Sequence, residues 1–186
     1  MKNGSRKTIC VFGASAEGIS RDMILRSSAL CEKLGNEGFD LVFGGFARGM
    51  MAATAEGFAR AGAEITGVVP DSLYGRRTVH PACTKIIRTG DLLERKARMS
   101  ELADGYVALP GGIGTLDEVF GVLAERVVGE SACPVVLYSL DGFYRGLMDW
   151  LNGIGEQGFL YSDLSELLLV SDDADEICSY LSRQIG

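Results

Sequence analysis

Histidine is almost absent from this 186-residue chain, which has only His80. A Ser-His-Asp triad or a multi-histidine metal site therefore has little to build on. Cysteine is sparse too: Cys10, Cys31, Cys83, Cys133 and Cys178 are odd in number and form no CxxC pair. That scatter argues against a disulfide framework or a zinc site and for a reducing compartment, so a cytoplasmic location is expected. Positive charge is short: 18 Lys and Arg against 25 Asp and Glu give a net charge of -7, with no basic stripe. A nucleic-acid polymer is thereby disfavoured as a partner. The apolar run after the polar segment Met1 to Lys7 is too short for a signal peptide or a membrane span, so no membrane partner is expected. No Pro/Ser-rich linker or internal repeat divides the chain, and one domain over residues 1–186 is the expectation.

Glycine, by contrast, is abundant at 25 residues, and its clusters follow apolar runs. Short apolar runs alternate with helical patterns along the whole sequence. Strands are predicted at Thr8–Phe12, Asp40–Phe43, Glu64–Val69, Thr84–Ile87, Tyr106–Leu109, Pro134–Tyr138 and Leu167–Val170. Helices are predicted at Arg21–Leu34, Met50–Ala61, Asp91–Ala103, Thr115–Val128, Phe143–Ile154 and Asp173–Gln184. Runs such as Cys10-Val11-Phe12 and Val135-Val136-Leu137 are apolar without alternation, as strands buried on both faces are. The fold class that follows is α/β: a single doubly wound, Rossmann-like parallel sheet with helices on both faces.

In such sheets ligands bind beyond the carboxyl ends of the strands. Three glycine-rich loops fall there: Gly13–Gly18, Gly44–Gly49 and Gly111–Gly114. None has the Gly-Lys-Ser/Thr ending of a P-loop or the G-x-G-x-x-G spacing of a dinucleotide fingerprint. Each offers backbone N–H groups running into a helix N-terminus, which favours an anion. Against an acidic whole, a small singly phosphorylated ligand suits this better than a polymer.

Two residues have competing readings. Glu118 follows Thr115 by three, the spacing of a capping box, so it reads on spacing alone as a helix cap with Asp117 in the first turn. Arg95 sits in Asp91-Leu92-Leu93-Glu94-Arg95-Lys96-Ala97-Arg98, which reads as a solvated face carrying Asp91–Arg95 and Glu94–Arg98 pairs.

Taken together, these segments resemble the LOG (Lonely Guy) family of cytokinin-activating phosphoribohydrolases, often labelled lysine decarboxylases. The P-G-G-x-G-T-x-x-E signature is matched by Pro110 to Glu118, and its Arg-Lys companion by Arg95-Lys96 with Met99 following. The resemblance runs from Val11-Phe12-Gly13 through Gly44-Gly45, Gly67-Val68-Val69-Pro70 and Asp141-Gly142-Phe143-Tyr144 to Gly158-Phe159. The chain departs from the family at Phe46, where a third glycine is usual, at Leu93, often His, and at Ala14, often Ser.

The resemblance implies hydrolysis of the N-glycosidic bond of a nucleoside 5′-monophosphate, with N6-modified adenine nucleotides favoured, to free base and ribose 5-phosphate. It maps the catalytic pair onto Arg95 and Glu118. Phosphate and ribose contacts map onto Gly44, Gly45, Gly111, Gly112, Gly114 and Thr115, and Ser15, Lys96 and Met99 are candidates for further substrate contacts. It implies a homodimer or higher homo-oligomer, no cofactor and no metal. Molybdenum-cofactor carriers share the loop style, so a non-catalytic carrier of a phosphorylated ligand is the alternative. The chemistry fits the residues: an oxocarbenium-like ribosyl state needs a carboxylate that stabilises charge and orients or deprotonates water. The dipole of its helix would favour the ionised form of that carboxylate. Arg95 has three open roles: fixing Glu118, binding ribose or phosphate, or easing base departure. A pyridoxal-dependent decarboxylase would need a Schiff-base lysine and a partner for the ring nitrogen, an arrangement the sequence does not suggest. The segment Asp71 to Pro81 reads as a loop over the site, with His80 as a surface residue and Arg76-Arg77 as a solvated pair, the alternative being that this pair reaches a phosphate from the loop. Tyr144 and Trp150 are expected to pack in a C-terminal helix, at a dimer contact.

Overall fold

The computed structural model describes residues 6–186. The elements in chain order are β1 (Thr8–Phe12), α1 (Arg21–Asn36), β2 (Asp40–Phe43), α2 (Gly49–Arg60), β3 (Ile65–Pro70), β4 (Lys85–Thr89), α3 (Leu92–Leu102), β5 (Gly105–Ala108), α4 (Ile113–Val127), β6 (Val135–Tyr138), α5 (Arg145–Glu156), α6 (Leu164–Leu167), β7 (Leu169–Ser171) and α7 (Ala174–Ile185). A single 3₁₀ turn, Leu140–Gly142, precedes α5. The seven strands form one parallel sheet in the order β4-β3-β2-β1-β5-β6-β7. The doubly wound α/β architecture expected from the alternation of patterns is therefore present.

Alternate residues of each strand serve opposite cores. Ile9 and Val11 of β1 join Leu41, Phe43 and Val107 in one cluster, packed with Leu30, Leu34, Phe58 and Leu181 from α1, α2 and α7. Cys10 and Phe12 join Val42, Tyr106 and Ala108 in the other, under Met99, Val119 and Val122 of α3 and α4. Two apolar faces per strand remove the alternation from the sequence. Helices α1 and α2 approach closely because Gly57 faces α1: a Cβ there would overlap the Ser28 carbonyl oxygen and come within 2.6 Å of Cys31 Cβ.

Several boundaries differ from the pattern reading. Strand β4 runs on to Thr89, and its outward positions are exposed because it is the sheet edge. The segment read as starting the last strand at Leu167 is instead the end of α6, and β7 is only three residues. Trp150 lies on α5 but is 59% exposed, so its expected packing does not occur within this chain. Among the described residues, no helix is long and apolar enough to cross a membrane.

The strand order places the site. From β1 the chain moves outward through β2 and β3 to β4, and then returns through α3 to β5 on the other side of β1. The loops leaving β1 and β5 therefore diverge, and a crevice opens between them at the carboxyl edge.

Candidate active site

Helix α4 begins at Ile113, with Gly112 as its N-cap and no side chain capping its first turn. The first amides of a helix lack internal partners, so this end presents donors to whatever enters the crevice. Thr115 is thus the third helical residue and not the cap. Its side chain folds back over Gly111, where a Cβ would overlap Oγ1. The capping-box reading of Thr115 and Glu118 fails for that reason: Glu118 lies in the second turn and points into the protein. A capping arrangement does occur one helix earlier. Asp91 accepts from Glu94 N at 2.8 Å, and Glu94 Oε2 accepts from Gly90 N at 2.6 Å.

With Asp91 and Glu94 committed to the start of α3, Arg95 is left to turn inward. It is 8% exposed, as is Glu118, and its Nη1 donates to Glu118 Oε1 at 3.2 Å. Its Nε donates to the Val68 carbonyl at 3.0 Å. That carbonyl is free because the Glu64 oxygen accepts from Leu41 N on the β2 side, and two further pairs along β3, at Val68, strand β2 has already ended. The remaining nitrogen, Nη2, is buried and has no partner among the described residues. It stands over Gly44, where a Cβ would overlap it. The solvated helix face expected for Arg95 is therefore wrong; Arg98 alone takes that role, paired with Glu101.

Burial pushes the Glu118 carboxyl above its ordinary pKa; the Arg95 guanidinium opposes the shift, Asp117 adds to it and Lys96 opposes it. The expected dipole effect is outweighed, since it fades within the first helical turn and Glu118 lies beyond it. Cys10, beneath the pair, has its thiol pushed well up, first by burial and then by Glu118, with Arg95 acting the other way. Lys96 and Asp117 repeat the α3–α4 link at the surface, with Nζ 3.0 Å from both carboxylate oxygens.

These groups border a cleft of about 410 Å³. Of the residues expected to contact substrate, the structure brings Ser15, Arg95, Lys96, Gly112, Gly114, Thr115 and Glu118 to it. Gly111 lies beneath Thr115, and Gly44 beneath Arg95. Gly45, at φ +80°, abuts the Val69 side chain. Met99 is buried and lines a smaller hollow of about 250 Å³ between α3 and α4, with Phe12, Leu93, Ala97 and Val122. The two spaces share Lys96 and Glu118.

Three further residues shape the site. Tyr144 is 2% exposed, and its hydroxyl donates to the Leu109 carbonyl at 2.7 Å, fixing the chain where it leaves β5 for the glycine loop. His80 is buried, not on the surface: its backbone N–H donates to the Gly45 carbonyl at 2.8 Å, its Nδ1 accepts from Ala82 N, and burial lowers its pKa. Arg77 lines the cleft, its Nη1 3.1 Å from Ser15 Oγ and its guanidinium over the Phe46 ring at 5.5 Å. No local pattern reveals the contacts of Arg77 or Tyr144, because each acts on a loop far away in sequence. Among the described residues, no group of three or more His, Cys, Asp or Glu is arranged to hold a metal.

A family model described as "Possible lysine decarboxylase" matches residues 51–181. The chain is 32% identical over 179 residues to the "Probable cytokinin riboside 5′-monophosphate phosphoribohydrolase LOGL9" of Oryza sativa subsp. japonica, covering 96% of this chain and 79% of that one. The chain belongs to the LOG family. Another relative in the family, cytokinin riboside 5′-monophosphate phosphoribohydrolase LOG3 of Arabidopsis thaliana, is 29% identical over 98% of this chain and 85% of its own length. Among solved structures, the molybdenum cofactor carrier protein of Chlamydomonas reinhardtii superposes with a TM-score of 0.76 at 21% identity, covering 97% of this chain and 98% of that one. The molybdenum cofactor binding protein of Rippkaea orientalis gives 0.74 at 20%, covering 98% and 99%. At these identities the likeness is one of fold.

Proposed function

We propose that this LOG-family chain hydrolyses the N-glycosidic bond of a nucleoside 5′-monophosphate, with an adenine or N6-modified adenine base. The observation that carries the reading is the buried Arg95–Glu118 pair on the wall of a cleft that also holds the uncapped N-terminus of α4. A buried ion pair is a poor device for stability, since desolvation offsets its attraction. Its presence beside an open cleft favours a chemical role.

In this reading the α4 amides and Thr115 hold the phosphate, which brings C1′ of the ribose to Glu118. The Glu118 carboxylate stabilises positive charge developing on the ribose and takes a proton from the attacking water. The water oxygen bonds to C1′ as the bond from C1′ to the base nitrogen breaks; the base leaves with the electron pair and takes up the proton that Glu118 gives back, which restores the carboxylate. Arg95 fixes the Glu118 oxygen at 3.2 Å, and its free Nη2 is available to substrate. The hollow between α3 and α4 adjoins Glu118 and has an apolar side made by Phe12, Leu93, Met99 and Val122, with Ser100 and Glu125 also lining it, which suits a base or its N6 substituent. Lys96, among the described residues the only lysine at the cleft, is engaged by both Asp117 oxygens, which leaves a Schiff-base role without support. A homodimer and a cytoplasmic location complete the proposal.

The test is incubation with a panel of nucleoside monophosphates, including AMP and an N6-isopentenyl AMP. Free base and ribose 5-phosphate are the expected products, and absence of base release from every purine and pyrimidine monophosphate sinks the proposal. The carrier fold of the structural neighbours makes the second reading a non-catalytic holder of a phosphorylated ligand. A co-purifying pterin chromophore without hydrolysis would establish that instead.

A further inference from the structure

Among the described residues, three cations line the cleft: Arg77, Arg95 and Lys96. Arg95 is neutralised by Glu118 and Lys96 by Asp117. Among the described residues, Arg77 has no carboxylate partner. Its side chain is nevertheless held, by the Ser15 hydroxyl at 3.1 Å and by the face of Phe46 at 5.5 Å. The loop that carries it is tied down on both sides of it. Arg77 N donates to the Leu73 carbonyl at 3.1 Å, Ala47 N donates to the Thr78 carbonyl at 3.0 Å, and Phe46 bridges Val79. Phe46 is 2% exposed, so the platform itself is fixed.

We propose that Arg77 is the charge partner of the ligand's phosphate and selects monophosphates over uncharged nucleosides. The inference rests on the phosphoribohydrolase reading for its substrate, and assigns to Arg77, with Ser15, a recognition role that backbone amides alone do not fill. A phosphate monoester carries nearly two negative charges at neutral pH. On a chain of net charge -7, a dianion entering the cleft needs a cation that is not already neutralised. Guanidinium also matches phosphate oxygens in a two-pronged hydrogen-bonded fork, and holding it on an aromatic ring reduces the rotamer freedom lost on binding. Phe46, where the family usually has glycine, is on this account the platform that aims the cation.

The experiment compares wild type, Arg77→Gln, Arg77→Lys and the neighbouring Arg76→Gln. Calorimetric titration with AMP, ribose 5-phosphate and adenosine is paired with steady-state kinetics on AMP. Arg77→Gln is expected to weaken AMP and ribose 5-phosphate about ten-fold or more, the range of a charge-assisted hydrogen bond, and to leave adenosine unchanged. KM rises with kcat largely kept, Arg77→Lys recovers part of the affinity, and Arg76→Gln behaves as wild type. AMP binding within two-fold of wild type in Arg77→Gln overturns the inference, as does an equal loss for adenosine, which a merely structural role would produce. A wild-type chain that binds neither phosphorylated ligand overturns it too. AMP that binds in an Arg77-dependent way without being cleaved refutes hydrolysis and leaves this inference standing.

Discussion

Arg95 and Gly44 occupy one space: the buried Nη2 of the arginine stands where the glycine's Cβ would be. Gly44 is thus required beneath the guanidinium. Arg95 cannot swing aside without leaving the Val68 carbonyl or Glu118. Gly44→Ala should therefore lower kcat/KM on the order of 10–100-fold, the scale of a misplacement near 1 Å. Gly153→Ala, on α5 with open space around it, should keep wild-type kinetics. Wild-type turnover in Gly44→Ala would mean that the position of Arg95 does not limit the reaction.

The Arg95–Glu118 contact predicts strong coupling. Residues that act as one unit lose most of their effect at the first substitution. Glu118→Gln should reduce base release to a small residual rate, Arg95→Gln should reduce it severely, and the double variant should be scarcely worse than Glu118→Gln. A double-mutant cycle on kcat/KM reads this directly. Additive losses would separate the two residues into independent roles.

Much of this arrangement is legible in the sequence, and the exceptions share a cause. The seven apolar runs and the glycines behind them mark the strands and the carboxyl-edge loops, because burial on two faces and helix starts leave local signatures. Periodicity and spacing give Glu118 and Arg95 none; only the family resemblance marks them. Spacing along α4 makes Glu118 a cap, and spacing along α3 makes Arg95 half of a surface pair. Only the packing of α3 against α4 over β1 and β3, with Asp91 and Glu94 taking the capping duty, turns both inward. His80 misleads in the same way: a polar loop hides that its backbone braces Gly45.

Glu118 sets the pH dependence. Its carboxyl is raised above the ordinary range by burial, with Arg95 pulling it partly back. As a base it works ionised, so kcat/KM should fall as pH drops through this raised value, giving an acid limb above that of a solvent-exposed glutamate. Arg95→Gln removes the lowering influence and should move the limb of its residual activity higher still. The sign for stability follows: a raised carboxyl favours folding most below its unfolded pKa and loses that contribution as pH rises through the folded one. Melting temperatures of wild type relative to Glu118→Gln should accordingly decline with rising pH. A limb at the ordinary carboxylate position would assign the titration to another group.

Gly57 tests the scaffold apart from the chemistry. In mid-helix, glycine to alanine ordinarily stabilises by about 1 kcal/mol. Here the added methyl meets the Ser28 carbonyl oxygen, Cys31 Cβ at 2.6 Å and Glu32 N at 2.9 Å, mostly backbone atoms that cannot rotate away. Overpacking of this kind costs about 1–3 kcal/mol, so the two effects oppose and the steric one is expected to win. Thermal unfolding of Gly57→Ala should show a lower midpoint, by about 2–4 °C for each kcal/mol of net loss. Because α1 and α2 pack on the face opposite α3 and α4, kcat at temperatures well below the midpoint should stay near wild type. A raised midpoint would show that the α1–α2 contact yields enough to admit the methyl group, and that helix propensity decides this position.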